Sequence, residues 1–249
     1  MTPIQRIQVP RAAERIFIAL DVSSPIRAME IVEECSPFNV GFKIGMQLFT
    51  SSGPNFVSTL AAKGVRVFLD LKYHDIPNTV AKAAVEATKL GVWMFNLHAA
   101  GGSEMMRRAA GESAEAAEKV GTERPKVIAV TVLTSSDQEM LNEIGIGSNL
   151  AEQVIRLAKL TKQSGLDGVV ASAHEAGLIR SEIVDEFLIV TPGIRPSNAT
   201  NNDQKRVSSP AFAFDAGATH LVIGRPVTGA NDRAAELNRI LEEIESSRQ

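Results

Sequence analysis

The sequence predicts a single-domain α/β protein, a closed (β/α)8 barrel, on three observations. The chain has 249 residues, about the length that one such barrel usually takes. Short β-rich runs alternate in strict rotation with longer stretches of helical composition, giving about eight strands. No Gly-x-Gly-x-x-Gly follows the first strand, as an open dinucleotide-binding sheet would have.

The expected strands are Arg15 to Asp21, Val40 to Ile44, Val65 to Leu71, Trp93 to His98, Lys126 to Leu133, Gly168 to Ser172, Phe187 to Thr191 and His220 to Ile223. Helices are expected at Pro25 to Cys35, Gly53 to Lys63, Pro77 to Leu90, Ser103 to Lys119, Leu150 to Ser164, His174 to Arg180, Ser208 to Ala216 and Ala230 to Ser246. Strand, helix, strand in rotation implies right-handed βαβ units and one parallel sheet. Two polar segments, Ser135 to Ser148 and Arg195 to Arg206, read as long loops after strands, where barrels carry their ligand grips. Residues 1–14 precede the first strand as an extension, and residues 15–249 form the barrel domain.

Composition narrows the function classes. A hydrophobic content of 44% is ordinary for a globular protein, and no apolar window is long enough to span a bilayer. Met1 to Arg15 has no continuous apolar core and does not read as a secretory signal, so a cytoplasmic enzyme is expected. A net charge of -3 argues against nonspecific nucleic-acid binding while leaving room for a local basic pocket that holds one phosphate. Cys35 is the single cysteine and reads as a buried thiol. The four histidines, His74, His98, His174 and His220, are too scattered for a His-x-x-x-His metal pair, so no metal is expected.

The chemistry of a barrel lies at the carboxyl ends of its strands, and here those ends are charged. In Val67-Phe68-Leu69-Asp70-Leu71-Lys72, alternation sends Asp70 and Lys72 to one side and Val67, Leu69 and Leu71 to the other. Taken alone, an Asp-x-Lys pair reads first as a solvated ion pair. At the end of an apolar, central strand it points to a site instead. Asp75 stands three positions beyond Lys72, where its carboxylate either reaches the same ammonium or serves a neighbouring site. Asp21, Lys43, His98, Thr131 and Thr134 close other strands, each with a plainer alternative as a cap, a packing group or a β-former. Their convergence at one end is what assembles a pocket. After the seventh and eighth strands, Thr191-Pro192-Gly193-Ile194-Arg195 and Ile223-Gly224-Arg225-Pro226 place glycine amides and arginine forks at the usual barrel phosphate position.

The block Asp70-Leu71-Lys72-Tyr73-His74-Asp75-Ile76-Pro77-Asn78-Thr79 closely resembles the signature of bacterial orotidine 5'-monophosphate decarboxylases. Phe17-Ile18-Ala19-Leu20-Asp21, Phe42-Lys43-Ile44-Gly45, Leu97-His98-Ala99-Ala100-Gly101-Gly102 and both glycine-arginine turns resemble that family's other blocks, in its order, from Arg15 to the end. The resemblance implies cofactor-free removal of the carboxylate from carbon 6 of orotidine 5'-monophosphate, giving uridine 5'-monophosphate in the last step of de novo pyrimidine synthesis. It casts Lys72 as the proton donor, Asp70 as the group facing the substrate carboxylate, and Lys43 and Asp75 as the rest of an alternating array. Asp75 and Thr79 would reach the site of a neighbouring subunit, so a homodimer is implied. Asp21 and Lys43 are implied at the ribose, Thr134 in preference to Thr131 at the pyrimidine, and Gln204, Gly224 and Arg225 at the phosphate, with Arg195 at the root of that loop. Ile76 and Pro192 complete the expected substrate contacts. The competing reading is a Mg²⁺-dependent sugar-phosphate decarboxylase or aldolase on the same barrel, which shares Asp-x-Lys-x-x-Asp but as a rule lacks the continuation from Tyr73 to Asn78.

Overall fold

The computed structural model describes residues 12–184, 186–196 and 208–247. In chain order its elements are β1 (Ile16–Ala19), α1 (Pro25–Cys35), β2 (Gly41–Gly45), α2 (Met46–Ser52), α3 (Pro54–Ala62), β3 (Val67–Tyr73), α4 (Pro77–Lys89), β4 (Met94–His98) and α5 (Gly102–Val120). There follow β5 (Lys126–Val130), α6 (Gln138–Glu143), α7 (Leu150–Gln163), β6 (Gly168–Val170), α8 (Ala173–Glu182), β7 (Leu188–Thr191), α9 (Pro210–Asp215), β8 (His220–Ile223), α10 (Arg225–Thr228) and α11 (Arg233–Ser246). All eight strands are parallel and pair in sequence order, and β8 closes on β1 to complete the barrel.

The helices begin where the chain supplies caps. Ser24, Asp137, Asn149, Ser209 and Asp232 each accept a backbone N–H in the first turn of α1, α6, α7, α9 and α11. Proline stands at the first helical position of α1, α3, α4 and α9, where its missing N–H costs nothing. Apolar helix faces pack on the outward side chains of the strands, including Ile16, Ile18, Phe42, Ile44, Leu69 and Phe95.

The barrel interior is filled separately by Phe17, Phe68, Met94, Ile128, Val190 and Val222. Gly41 is required there, because a Cβ at that position would collide with the Phe17 ring. The amino-terminal end is closed by Trp93 and His220, whose rings lie 5.5 Å apart beside Phe17. Arg66 reaches over Phe17 and Trp93 and donates to the carbonyl oxygens of Glu14 and Asn39 at 2.7 and 2.8 Å. Ala12 and Ala13 are buried against this end.

Several elements depart from expectation. The segment from Ser135 to Ser148, read as loop, contains α6, and two unforeseen short helices, α2 and α10, follow β2 and β8 directly. Strands β1, β5 and β6 stop short of Asp21, Leu133 and Ser172, because the residues at their carboxyl ends leave the sheet. Strand β3 instead runs on to Tyr73 through a bulge. Leu69 pairs with Phe95, but Tyr73 pairs with Leu97, so four steps on β3 face two on β4. The strict alternation expected through Lys72 therefore ends at Asp70.

Burial, with Arg15 and Arg66 nearby, pushes His220 down to about 4. An unfolded chain takes up that proton near pH 6.5, whereas the folded chain refuses it until about pH 4. Stability from this group is thus complete above pH 6.5 and is lost as the pH falls towards 4, by up to roughly 3 kcal/mol. Urea titrations from pH 7 to 4 should show a shallower acid decline in His220→Gln than in the wild type; equal slopes would show that another group governs it.

Candidate active site

Three neighbouring strands put polar side chains into the upper barrel where the other five put mainly apolar ones. Lys43 comes from β2, Asp70 and Lys72 from β3, and Asn96 from β4. Pairing of Phe68 with Met94 and Leu69 with Phe95 brings Asp70 level with Asn96 just where the bulge begins. Lys72 then adopts φ 53°, a left-handed backbone unusual for a side chain other than glycine, asparagine or aspartate. That turn brings its side chain back, so that Nζ donates to Asp70 Oδ1 at 2.6 Å.

Asp70 is the hub. Its Oδ1 also accepts from Asn96 Nδ2 at 2.7 Å, while Oδ2 faces Lys43 Nζ at 3.3 Å. Lys43 reaches Asp21 Oδ1 at 3.1 Å on its other side. Within one chain the order is therefore Asp21, Lys43, Asp70, Lys72, alternating in sign. Burial would raise the Asp70 carboxyl, but the two lysines, with hydrogen bonds from Lys72 and Asn96, hold it below the usual carboxylate value. Burial would likewise lower Lys43, and Asp70 and Asp21 reverse this, holding it above the usual lysine value. Both groups are charged throughout the neutral range.

This array floors a cavity of about 500 Å³ at the carboxyl end of the barrel. Val130, Val132, Leu133 and Thr134 line one wall, and Val170, Val222 and Phe68 add apolar surface. Pro192, Gly193, Ile194 and Arg195 after β7, with Gly224, Arg225 and Pro226 after β8, form the opposite rim. Gly193 has φ 78°, a conformation that suits glycine, and Arg195 is buried with its N–H on the Ser208 carbonyl oxygen at 3.0 Å. The site thus combines a charged floor, an apolar slot and an arginine-bearing rim, suited to an anionic ring compound carrying a phosphate.

The structure gathers Asp21, Lys43, Asp70, Lys72, Thr134, Pro192, Arg195, Gly224 and Arg225 around this one cavity. Thr131 is turned away, buried with Oγ1 donating to the Val170 carbonyl oxygen at 3.1 Å, whereas Thr134 stands in the wall. Asp75, Ile76 and Thr79 are exposed and do not line the cavity. Asp75 Oδ1 accepts from the Ile76 N–H at 2.6 Å and makes no ion pair with Lys72 of the same chain. Gln204 lies outside the described residues. His98 lies beside His74 with ring centroids 5.4 Å apart, and burial, then His74 and Lys72, push it below its usual value. Cys35 is buried and pushed up to about 11, mainly by burial, as suits an inert thiol. Among the described residues no group of three His, Cys, Asp or Glu side chains is arranged to hold a metal ion. Asn96 escaped the sequence reading; its signal was an amide in the middle of the apolar run Met94-Phe95-Asn96-Leu97.

Comparison with known proteins places this geometry. The model of the family described as "Orotidine 5'-phosphate decarboxylase / HUMPS family" matches residues 14–240. An orotidine 5'-phosphate decarboxylase of Geobacter sulfurreducens is 52% identical over 237 residues, covering 94% of this chain and 97% of that one. One of Pseudoalteromonas atlantica is 50% identical over 226 residues, 91% of this chain and 96% of its own. A solved structure of orotidine 5'-phosphate decarboxylase from Lactobacillus acidophilus superimposes with a TM-score of 0.82 at 38% identity, covering 92% of this chain and 98% of that chain.

Removing the hub should be costlier than removing the end of the array. Asp70→Ala leaves buried Lys43 without its inner partner, and breaking a buried pair from one side costs about 3–5 kcal/mol. Asp21, with its side chain 62% exposed, should cost under about 1 kcal/mol as Asp21→Ala. Urea denaturation at pH 7 measures both, and equal losses would contradict the ordering.

Proposed function

The chain belongs to the orotidine 5'-phosphate decarboxylase / HUMPS family, and from that premise we propose that it converts orotidine 5'-monophosphate to uridine 5'-monophosphate and CO₂ without a cofactor. The observation that carries the reading is the 2.6 Å contact of Lys72 Nζ with Asp70 Oδ1 on the cavity floor. The difficulty of this decarboxylation is a carbanion at C6 of the pyrimidine with nothing to delocalise it. As the C6 to carboxylate bond breaks, its electron pair stays on C6 and the Lys72 ammonium faces the developing charge. The Nζ proton then passes to C6, CO₂ departs, and solvent reprotonates the neutral amine. Asp70 holds that ammonium in place and lies against the departing carboxylate, which disfavours the ground state more than the transition state.

The remaining cavity groups take the rest of the nucleotide. Asp21 and Lys43 suit the ribose hydroxyls, Thr134 a polar edge of the pyrimidine, and Arg195, Arg225 and the Gly224 turn the phosphate. Gln204 joins the phosphate group in this reading. The pathway role, the last step of de novo UMP synthesis, follows from the same reaction, and a cytoplasmic location is part of the proposal. No helix among the described residues is long and apolar enough to cross a membrane. The Mg²⁺-dependent alternative is not favoured, since relatives near 50% identity carry the decarboxylase name.

A homodimer with shared sites completes the proposal. Asp75, Ile76 and Thr79 stand exposed in the segment that follows β3, and large apolar side chains at Ile26, Met46, Ile76, Met140 and Ile144 are exposed in the segments that follow β1, β2, β3 and β5. A second copy seated on that face covers them and brings its own Asp75 towards Lys72.

Loss of orotidine 5'-monophosphate absorbance in excess chelator tests the chemistry. Wild type should turn over undiminished, and Lys72→Ala should fold yet lose at least about a thousandfold in kcat, because one ammonium supplies both field and proton. Abolition by the chelator, or an active Lys72→Ala, refutes the mechanism. Sharing has its own test. When Lys72→Ala and Asp75→Asn chains are mixed, each heterodimer carries one site with both lesions and one with neither, so activity should return towards a quarter of wild type in a statistical mixture. No recovery despite demonstrated subunit exchange rules sharing out.

A further inference from the structure

Asn96 is buried at 1% exposure, and both ends of its amide are used on the two groups at the centre of the site. Its Oδ1 accepts the Lys72 backbone N–H at 2.8 Å, and its Nδ2 donates to Asp70 Oδ1 at 2.7 Å. These partners fix the amide's orientation, since flipping it would set donor against donor and oxygen against carboxylate. The Lys72 N–H lies in the bulge, where the barrel ladder is interrupted and a buried donor needs another acceptor. Asn96 supplies that acceptor just where the backbone takes its left-handed turn.

We propose that Asn96 is a positioning residue that sets the geometry of the Asp70 and Lys72 pair. The inference rests on the decarboxylase reading of this site. Without the Asn96 carbonyl, the φ 53° backbone of Lys72 loses its anchor and relaxes towards the ordinary strand region. Without the amide donor, Asp70 loses the one neutral group among the described residues that holds Oδ1 towards Lys72 while Oδ2 faces Lys43. Asn96 is not in the wall of the cavity, so its action on a ligand passes through those two residues. Uridine 5'-monophosphate has no carboxylate to expel and needs no proton at C6, so its binding should be insensitive to this residue.

The test compares Asn96→Ala and Asn96→Asp with the wild type in kcat, in affinity for uridine 5'-monophosphate and in pH profile. A displacement of about 1 Å at a reacting group costs on the order of a hundredfold, so Asn96→Ala should lose about that in kcat while product affinity stays within about threefold. Asn96→Asp keeps the acceptor for Lys72 but sets a like charge against Asp70, so at neutral pH it should be at least as slow. On acidification its carboxyl protonates and becomes a donor to Asp70, and its kcat relative to wild type should rise. Asp21, Lys43, Asp70, Lys72, His74 and His98 also face this region, but all are common to the three proteins. Asn96→Ala, which has no carboxyl at 96, should show no such rise.

A kcat within threefold of wild type in Asn96→Ala, or an equal loss of kcat and product affinity in both variants, overturns the proposal. Should Asn96→Ala fail to fold, the isosteric Asn96→Asp and its acid recovery carry the test. A crystal structure of the folded variant decides the geometry independently of turnover: Lys72 should leave the left-handed region in Asn96→Ala, and Asp70 should turn from position 96 in Asn96→Asp. Unchanged geometry in the variant examined overturns the proposal even if the wild type is active. An inactive wild type with the expected displacement condemns the decarboxylase reading and leaves the positioning role standing.

Discussion

The site depends on one buried carboxylate that holds two ammonium groups. Like-charged Lys43 and Lys72 would repel if left together in a mostly apolar barrel, and Asp70 between them converts that repulsion into an ordered array. The opposite is equally true of Asp70, whose burial is tolerated only because both oxygens are engaged. Moving any member changes the charge balance of the others. This makes the floor of the cavity a single electrostatic unit, with Asp21 as its solvent-facing end.

That unit can be precise because of what surrounds it. The interior below is packed solid by Phe17, Phe68, Met94, Ile128, Val190 and Val222, which gives the floor a rigid base. The helices bury the outer faces of the same strands. Only the carboxyl-end segments are free to vary, and there β1 and β5 stop early so that their following residues can turn into the cavity wall. The bulge in β3 is the complementary device: it extends the strand, breaks its pairing and re-aims a lysine.

Much of this was legible in the chain. The rotation of apolar runs and helical stretches specified eight parallel strands, and their placement matches the barrel closely because the period and the breakers agreed. Charges at strand ends gave Asp70, Lys72 and Lys43, and the glycine-arginine turns gave the rim, since both signals stand against an apolar background. Other features were hidden for physical reasons. The short helices α2, α6 and α10 lack an amphipathic repeat long enough to see. The bulge leaves no mark in a run that holds neither glycine nor proline, because it is fixed by a partner on β4. Asn96 was passed over because its meaning lies in what it touches across the sheet, and alternation within one strand does not report that.

The two ends of the cavity ask for different kinds of precision. In the proposed reading, arginine side chains and glycine turns at the rim meet a phosphate dianion through several hydrogen bonds, and small displacements of any one of them are absorbed by the rest. At the floor, the same reading has the Lys72 ammonium face one carbon atom and deliver one proton, so an error of an ångström is not averaged away. The fold is arranged accordingly. The rim is carried by loops and by a helix of four residues, whereas the floor is carried by three adjacent strands of the barrel. Their side chains are tied to one another through a single carboxylate. On that reading, binding energy gathered at the adaptable end is available at the end that cannot adapt, a physical reason for one cavity to take both phosphate and reacting ring.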